Sequence, residues 1–166
     1  VIVGHQREAV CAALAGFNVT PVVQEGQLGT GHAVLCAEQA CAGADLVLIL
    51  CGDTPLIRAE TLQAMLDTHC RQQATLTLMT TVVEEPFGYG RILADAQGMV
   101  QAIVEEKDAT GEQRAIREIN AGIYLADRDF LFTALRQVGT DNSQGEVYLT
   151  DIVAIANRQG ARVEKW

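Results

Sequence analysis

Five consecutive aliphatic residues, Leu46-Val47-Leu48-Ile49-Leu50, constrain the fold of this chain more than any other segment. An unbroken apolar run of this length is typical of a strand whose two faces are both covered, as in an α/β sheet. Cys51-Gly52-Asp53-Thr54-Pro55 follows directly, and Pro55 ends the element. Because Asp is disfavoured inside strands, Asp53 is predicted to lie just past the carboxyl end of this strand.

A carboxylate in this position has two interpretations. The carboxyl end of a buried strand is where α/β proteins keep metal-binding carboxylates, which makes Asp53 a candidate Mg²⁺ ligand. The alternative is a turn-forming residue that caps a helix beginning near Ala59.

A glycine-rich segment, Gln24-Glu25-Gly26-Gln27-Leu28-Gly29-Thr30-Gly31-His32-Ala33, precedes the strand. A glycine turn that opens a helix brings backbone N–H groups against an anionic or planar polar ligand. The amide of Gln24 carries a donor and an acceptor, which suits the edge of uracil. With Asp53, the segment indicates a nucleotide site with a divalent cation; the alternative is a flexible loop with a helix cap. His32 is either a catalytic base or a structural residue of the first helical turn.

Strand-like and helix-like patterns alternate along the chain. This alternation predicts an α/β fold with a mixed, mostly parallel sheet. A hairpin is predicted after Pro86, with a polar turn at residues 95–98. The predicted strands are 1–3, 19–24, 46–50, 74–83, 90–94, 99–105, 119–125 and 161–166, and the predicted helices are 6–14, 30–42 with Thr30 as N-cap, 59–73, 130–138 and 149–158.

Composition excludes several classes of function. The 166 residues fit one domain, and the net charge of −9 argues against sequence-independent binding of nucleic acid. No apolar stretch reaches the length of a membrane span, so no membrane partner is expected. The five cysteines include no C-x-x-C pair, which favours a reduced, cytoplasmic setting.

Further polar residues interrupt the apolar pattern. Gly88-Tyr89-Gly90-Arg91 either lets backbone approach a sugar or phosphate or forms a turn into a strand. Asn120, inside an otherwise apolar strand, needs hydrogen-bond partners, and a ligand hydroxyl is one candidate. Residues 105–108 have the composition of a solvated charge cluster. Four further polar residues surround a helix start: Glu146, Tyr148, Thr150 and Asp151. For Thr150 or Asp151 the alternative to a ligand contact is a simple helix cap.

Taken in order, these motifs resemble the uridyltransferase domain of the bacterial bifunctional N-acetylglucosamine-1-phosphate uridyltransferase / glucosamine-1-phosphate acetyltransferase. The match runs over nearly the whole chain. The matching segments are Gln27-Leu28-Gly29-Thr30-Gly31-His32-Ala33, Gly52-Asp53 with Pro55-Leu56, Gly88-Tyr89-Gly90-Arg91-Ile92, Glu105 with Lys107-Asp108-Ala109-Thr110, Glu118-Ile119-Asn120 with Gly122, and Gly145-Glu146 with Tyr148 and Thr150-Asp151-Ile152.

The resemblance implies a Rossmann-like nucleotide-diphospho-sugar transferase fold with helices on both faces of the sheet. It implies transfer of UMP from UTP to N-acetylglucosamine 1-phosphate for cell-envelope synthesis, with Mg²⁺ as cofactor. Asp53 is then the catalytic metal ligand. The implied nucleotide-binding residues are Gln24, Gly29, Thr30, Cys51 and Gly52, and the implied sugar-phosphate-binding residues are Gly90, Glu105, Asn120, Tyr148 and Thr150. The alternatives are another sugar-1-phosphate nucleotidyltransferase or a catalytically incomplete nucleotide-binding fragment.

The chain also departs from the family pattern. Two features of the family have no counterpart here: the glycine-rich phosphate loop with its strand, and the second metal ligand, which is an asparagine. Cys51 stands where the family has tyrosine. Residues 1–166 are therefore expected to form a partial nucleotidyltransferase domain without the β-helix acetyltransferase domain. We expect this segment alone to be weakly stable and inactive, and the full-length parent to be a homotrimer.

Overall fold

The computed structural model describes all 166 residues. In chain order the elements are β1 (Ile2–Val3), α1 (Arg7–Leu14), β2 (Val22–Val23), α2 (Thr30–Cys36), a 3₁₀ turn (Gln39–Cys41), β3 (Leu46–Ile49), α3 (Ala59–Gln72), β4 (Leu76–Val82), β5 (Arg91–Ala94), β6 (Val100–Val104), α4 (Gly111–Arg114), β7 (Glu118–Asp127), α5 (Arg128–Leu135), α6 (Asp151–Arg158) and β8 (Val163–Lys165). All of the predicted elements are present.

Helix α4 was not predicted, although its signal is local. The side chain of Thr110 accepts a hydrogen bond from the backbone N–H of Gln113, and the side chain of Gln113 accepts one from the backbone N–H of Thr110. This reciprocal capping box satisfies two of the unpaired donors at a helix start.

The long strand β7 organises the main sheet. It pairs with β3 along one edge and with β4 along the other, and β5 joins it near Ile119. The mixed sheet is therefore confirmed, but the prediction of mostly parallel pairing is wrong. Strand β7 is antiparallel to β3, β4 and β5, and β5 is antiparallel to β6. The pair β4–β8 is therefore the one parallel pair in this sheet.

Helices cover both faces of the sheet, as predicted. Alternate residues of β7 separate the two cores, since neighbouring side chains on a strand point to opposite faces. Tyr124 and Ala126 belong to the larger core, which includes residues of α2, α5 and α6. Ile123 and Leu125 pack with Met65 of α3 in the smaller core.

Strands β1 and β2 form a separate two-stranded parallel sheet. Strand β3 has β7 as its single strand partner, so its outer edge carries unpaired backbone groups. Leu48 is 41% exposed, which shows that the prediction of a strand covered on both faces is wrong at this residue. Ile2 of β1 and Ile49 of β3 line the same cavity. No helix of the chain is long and apolar enough to cross a membrane.

A buried histidine joins α3 to the sheet. His69 is 2% exposed, and its Nδ1 lies 2.8 Å from the hydroxyl oxygen of Thr77 on β4. Its Nε2 has no hydrogen-bond partner and lies 3.8 Å from a carboxylate oxygen of Asp127. Burial lowers the pKa of His69, and the charge of Asp127 partly opposes this. The imidazole is therefore neutral at pH 7.

We expect His69 to make the free energy of unfolding depend on pH. Its pKa is lower in the folded chain than the value of about 6.5 in the unfolded chain, so the unfolded chain binds more protons below pH 6.5. The stability is complete above about pH 6.5 and is lost as the pH falls toward the folded pKa. Denaturant unfolding between about pH 5 and 7.5 should give a flatter pH profile for His69→Gln than for the wild type. Exposed His5 provides the control His5→Gln, whose profile should follow the wild type; equal slopes for all three proteins contradict this account.

Candidate functional site

A cavity of about 380 Å³ lies among β1, β3, β7 and the first turn of α2. Apolar side chains such as Ile49 and Val34 form part of its wall. Six of the residues predicted from sequence also line it: Gln24, Thr30, Cys51, Glu105, Asn120 and Thr150. These residues come from segments far apart in the chain, so the fold brings most of the predicted site into one place.

At one end of the cavity the Gln24 amide is held from two sides. Its Nε2 donates to the carbonyl of Gly29 at 3.2 Å and lies 3.0 Å from Nδ1 of His32. Both amide hydrogens are thereby used, and Oε1 is left as the free acceptor of the side chain. His32 does not line the cavity, so the structure favours its structural role: it orients Gln24.

The loop before α2 is fixed by a segment distant in sequence. The backbone N–H of Val147 donates to the carbonyl of Leu28 at 2.8 Å, and the N–H of Leu149 donates to the Thr30 hydroxyl at 3.0 Å. Gly29 is the N-cap of α2, with φ of +106°, so the prediction of Thr30 as N-cap is wrong. The Thr30 hydroxyl serves the tertiary contact instead of the helix end.

Glu105 and Thr150 form a pair at another part of the cavity wall. The Thr150 hydroxyl donates to Oε1 of Glu105 at 3.0 Å, and Thr150 is 4% exposed. Burial raises the pKa of Glu105, and the hydrogen bond from Thr150 opposes the rise. Glu105 is therefore not part of a solvated charge cluster. Thr150 occupies the N-cap position of α6, but its side chain does not cap the helix.

Asn120 is fixed at both ends of its amide. Its Oδ1 accepts from the backbone N–H of Gly122 at 3.0 Å, and its Nδ2 donates to the hydroxyl of Tyr124 at 2.6 Å. The Gly122 carbonyl in turn accepts from the thiol of Cys51 at 3.2 Å. Tyr124 and Gly122 also line the cavity, and sequence reasoning missed both as site residues. The contact between Asn120 and Tyr124 depends on a bulge in β7, which no local sequence pattern marks for Tyr124.

Two predicted residues, Gly90 and Tyr148, contact neighbouring side chains and not the cavity. A Cβ on Gly90 would lie 2.8 Å from a methyl group of Ile103 and 3.4 Å from Oε2 of Glu105, so Gly90 packs directly behind that carboxylate. Tyr148 is buried at 6% exposure, and its hydroxyl accepts from the Gln144 amide at 2.8 Å. Neither residue lines the cavity itself.

Gly52 and Asp53 lie in an exposed turn after β3. They directly follow Cys51, which lines the cavity, but they do not line it themselves. The N-cap of α3 is Arg58, so the interpretation of Asp53 as its helix cap is wrong. Burial raises the pKa of the Cys51 thiol, and the negative charge of Asp53 raises it further. Asp53 is thus close enough to the cavity for its charge to act there.

The donor set can be tested against a bound Mg²⁺. No three His, Cys, Asp or Glu side chains are grouped to hold a metal ion. Asp53 contributes one exposed carboxylate that belongs to no ion pair within the chain. Mg²⁺ is commonly bound through one or two carboxylates together with substrate phosphates and water. A single free carboxylate beside the cavity fits that mode and does not fit a metal site built by the chain alone.

Comparison with known proteins identifies the family. A sequence profile described as nucleotidyl transferase matches residues 5–165. The chain belongs to the nucleotidyl transferase family. Its fold is similar to that of a UDP-glucose pyrophosphorylase whose crystal structure is complexed with UDP-glucose, with a TM-score of 0.72 and 18% identity. That similarity covers 99% of this chain and 70% of the other, and it confirms the predicted α/β fold.

More similar relatives confirm the resemblance stated from the motifs. The chain is 56% identical to the bifunctional protein GlmU of Geobacter metallireducens, over 98% of the chain and 34% of the relative. It is 53% identical to GlmU of Desulfotalea psychrophila, over 100% of the chain and 49% of the relative. This nucleotidyl transferase chain therefore spans between a third and a half of the length of these relatives.

Proposed function

We propose that the protein containing this chain transfers UMP from UTP to N-acetylglucosamine 1-phosphate, giving UDP-N-acetylglucosamine and pyrophosphate. The observation that carries the proposal is the single cavity that joins the Gln24 amide at one end to Asn120 and the Glu105–Thr150 pair. The Gln24 amide can hydrogen-bond to a nucleotide base, and Asn120 and Glu105 can hydrogen-bond to a sugar.

The base end is complementary to uracil. Uracil offers one N–H between two carbonyls, and Gln24 offers a free acceptor oxygen. The backbone N–H groups of Gly29 and Thr30 make no hydrogen bond within the chain, so they supply two donors for the carbonyls. Cytosine has no N–H at the matching position, so it leaves the Gln24 oxygen without a partner. Mismatches of this kind discriminate strongly, because a buried polar group loses its hydrogen bond.

The sugar end supplies acceptors and donors for hydroxyl and amide groups. Glu105 presents a carboxylate held by Thr150, and Asn120 presents an amide of fixed orientation. We infer that Gly90 and Tyr148 support this end from behind, and that Gly52 and Cys51 lie toward the nucleotide.

The chemistry requires position more than acid–base catalysis. A phosphate oxygen of the sugar 1-phosphate attacks the α-phosphorus of UTP, and pyrophosphate leaves in line. No general base is needed, because the attacking phosphate, whose second pKa is about 6, is ionised at neutral pH. The chain holds the two substrates in one cavity and so lowers the entropic part of the barrier. Asp53 is the residue that would hold Mg²⁺, which when bound neutralises charge on the reacting phosphates.

The wider setting follows from the same proposal. We infer a role in cell-envelope synthesis, a cytoplasmic location and a homotrimeric full-length protein in which these residues form part of the nucleotidyltransferase domain. Five free cysteines support a reducing compartment, and a net charge of −9 speaks against nucleic acid as a partner. No membrane partner is inferred.

A crossed substrate panel tests the proposed reaction. The full-length gene product should release pyrophosphate with UTP and N-acetylglucosamine 1-phosphate, and CTP should react at least about a hundredfold more slowly. dTTP and other sugar 1-phosphates separate the proposed enzyme from a nucleotidyltransferase of different specificity. A clear preference for another base or another sugar contradicts the proposal.

One rival is favoured by a specific observation: the 166 residues by themselves are a catalytically incomplete nucleotide-binding unit. No three His, Cys, Asp or Glu side chains are grouped to complete a metal site around Asp53, and the outer edge of β3 has no strand partner. In the same panel the isolated chain should therefore bind UTP weakly and show no measurable turnover. Robust turnover by the isolated chain contradicts the partial-domain interpretation.

A further inference from the structure

Tyr124 lines the cavity, and the proposed reaction leaves its hydroxyl without a role. Tyr124 is 1% exposed and lies on β7 between Ile49 of β3 and Leu78 of β4. Its ring belongs to the larger core, while the residue also lines the cavity. Its hydroxyl meets the amide of Asn120, which also lines the cavity.

An irregularity in β7 brings Asn120 and Tyr124 together. Residues four apart on a regular strand are about 13 Å apart, beyond the reach of an asparagine side chain to a tyrosine hydroxyl without help. Here Tyr124 pairs with Leu78 and Asn120 pairs with Thr80, so four steps on β7 correspond to two on β4. The extra residues include Gly122, whose φ of +77° favours glycine. This bulge shortens the path between the two side chains.

The hydrogen atoms of this network can be counted. The Tyr124 oxygen accepts a hydrogen from Asn120 Nδ2 at 2.6 Å, so its own proton is free to be donated elsewhere. No acceptor within hydrogen-bond distance in the chain takes that proton. Because Tyr124 and its partner Asn120 both line the cavity, a bound ligand can supply the missing acceptor.

The phenol also remains a donor over the whole physiological range. Burial raises the pKa of Tyr124, the charge of Glu105 raises it further, and the hydrogen bond from Asn120 opposes the rise.

We propose that Tyr124 is a positioning residue that sets sugar specificity: it fixes the Asn120 amide and donates its own proton to an acceptor oxygen of the sugar. The inference rests on the proposed function for its ligand. The residue acts on the sugar 1-phosphate because its hydrogen-bond partner Asn120 lies at the proposed sugar end, whereas the Gln24 amide at the base end donates to Gly29.

Tyr124→Phe in the full-length gene product tests the proposal. Loss of the hydroxyl leaves one amide hydrogen of Asn120 unpaired and removes one donor, so KM for N-acetylglucosamine 1-phosphate should rise about tenfold. KM for UTP should stay within about twofold of the wild type, since nothing at the base end changes. Thr133→Val removes an exposed hydroxyl on α5, outside the cavity, and is the control, with both KM values unchanged.

A double variant separates positioning from general destabilisation. If Tyr124 acts through Asn120, adding Tyr124→Phe to Asn120→Ala should raise KM for the sugar phosphate by less than Tyr124→Phe alone does. Equal rises in both backgrounds, or equal rises in KM for both substrates, overturn the assignment.

A spectroscopic measurement keeps this test separate from the proposed reaction. In ¹⁵N-labelled wild-type protein, one side-chain amide proton of Asn120 should exchange slowly with solvent, and in Tyr124→Phe it should exchange at least about tenfold faster. If the wild type makes no UDP-N-acetylglucosamine, the proposed function fails, whereas an unchanged exchange rate in the variant refutes the positioning role itself.

Discussion

Replacing Asp53 by Asn in the full-length gene product is expected to abolish Mg²⁺-dependent pyrophosphate release, with residual turnover below about a thousandth of the wild type. The amide has nearly the same shape as the carboxylate but carries no charge, so it cannot hold a divalent cation against substrate phosphates. Asp53 is exposed and belongs to no ion pair, so its loss leaves the fold intact. The pyrophosphate assay should therefore fall while the thermal midpoint stays the same.

Asp129→Asn is the matched control. Asp129 is also an exposed carboxylate, with 92% of its side chain accessible, but it pairs with Arg128 and lies outside the cavity. The control should keep full activity. Near-normal turnover of Asp53→Asn, with the metal dependence unchanged, contradicts the assignment of Asp53 as a metal ligand.

Gly29→Ala is expected to cost about 2–4 kcal/mol of unfolding free energy and about a hundredfold in UTP affinity. A Cβ at this position would lie 2.6 Å from the carbonyl oxygen of Val147 and 2.8 Å from Cβ of Glu146. The φ of +106° is also unfavourable for alanine. The loop must move away from the 146–149 segment, and the N–H groups of Gly29 and Thr30 move with it.

Gly43→Ala is the control for this substitution, because a Cβ on Gly43 meets no atom within 4 Å. Denaturant unfolding and UTP titration of both variants measure the two effects. Wild-type stability together with wild-type UTP affinity in Gly29→Ala is the result that contradicts the structure of this loop.

The sequence predicted those parts of the molecule whose signals are local. The aliphatic run at 46–50 indicated β3, and the turn after it located Asp53 beyond the strand. The exposure of Leu48 was not predictable in this way, because coverage of a strand depends on which distant segments pack against it. The wrong prediction of mostly parallel strands has the same cause. Strand order and direction depend on where β7 lies in the sheet, and no local pattern encodes that position.

The site residues show the same division. Asn120 was identified because a polar side chain interrupts an otherwise apolar strand, and Gln24 because its amide suits the edge of uracil. Glu105 was identified through the family resemblance alone, since its neighbours have the composition of a solvated charge cluster. Tyr124 was missed because it continues the apolar pattern of β7, and the one side chain of the chain that its hydroxyl meets, Asn120, is brought to it by the bulge in that strand. Thr30 was given the wrong local role because its hydroxyl is taken by Leu149, 119 residues later in the chain.

The most direct test of the central claim is product analysis with the full-length gene product, UTP, N-acetylglucosamine 1-phosphate and Mg²⁺. Chromatography with mass detection should show UDP-N-acetylglucosamine and pyrophosphate in equal amounts, since each transfer breaks one bond between the α- and β-phosphates. Replacing UTP by CTP should remove nearly all product. Absence of UDP-N-acetylglucosamine from the UTP reaction, with the folded protein and Mg²⁺ present, contradicts the account.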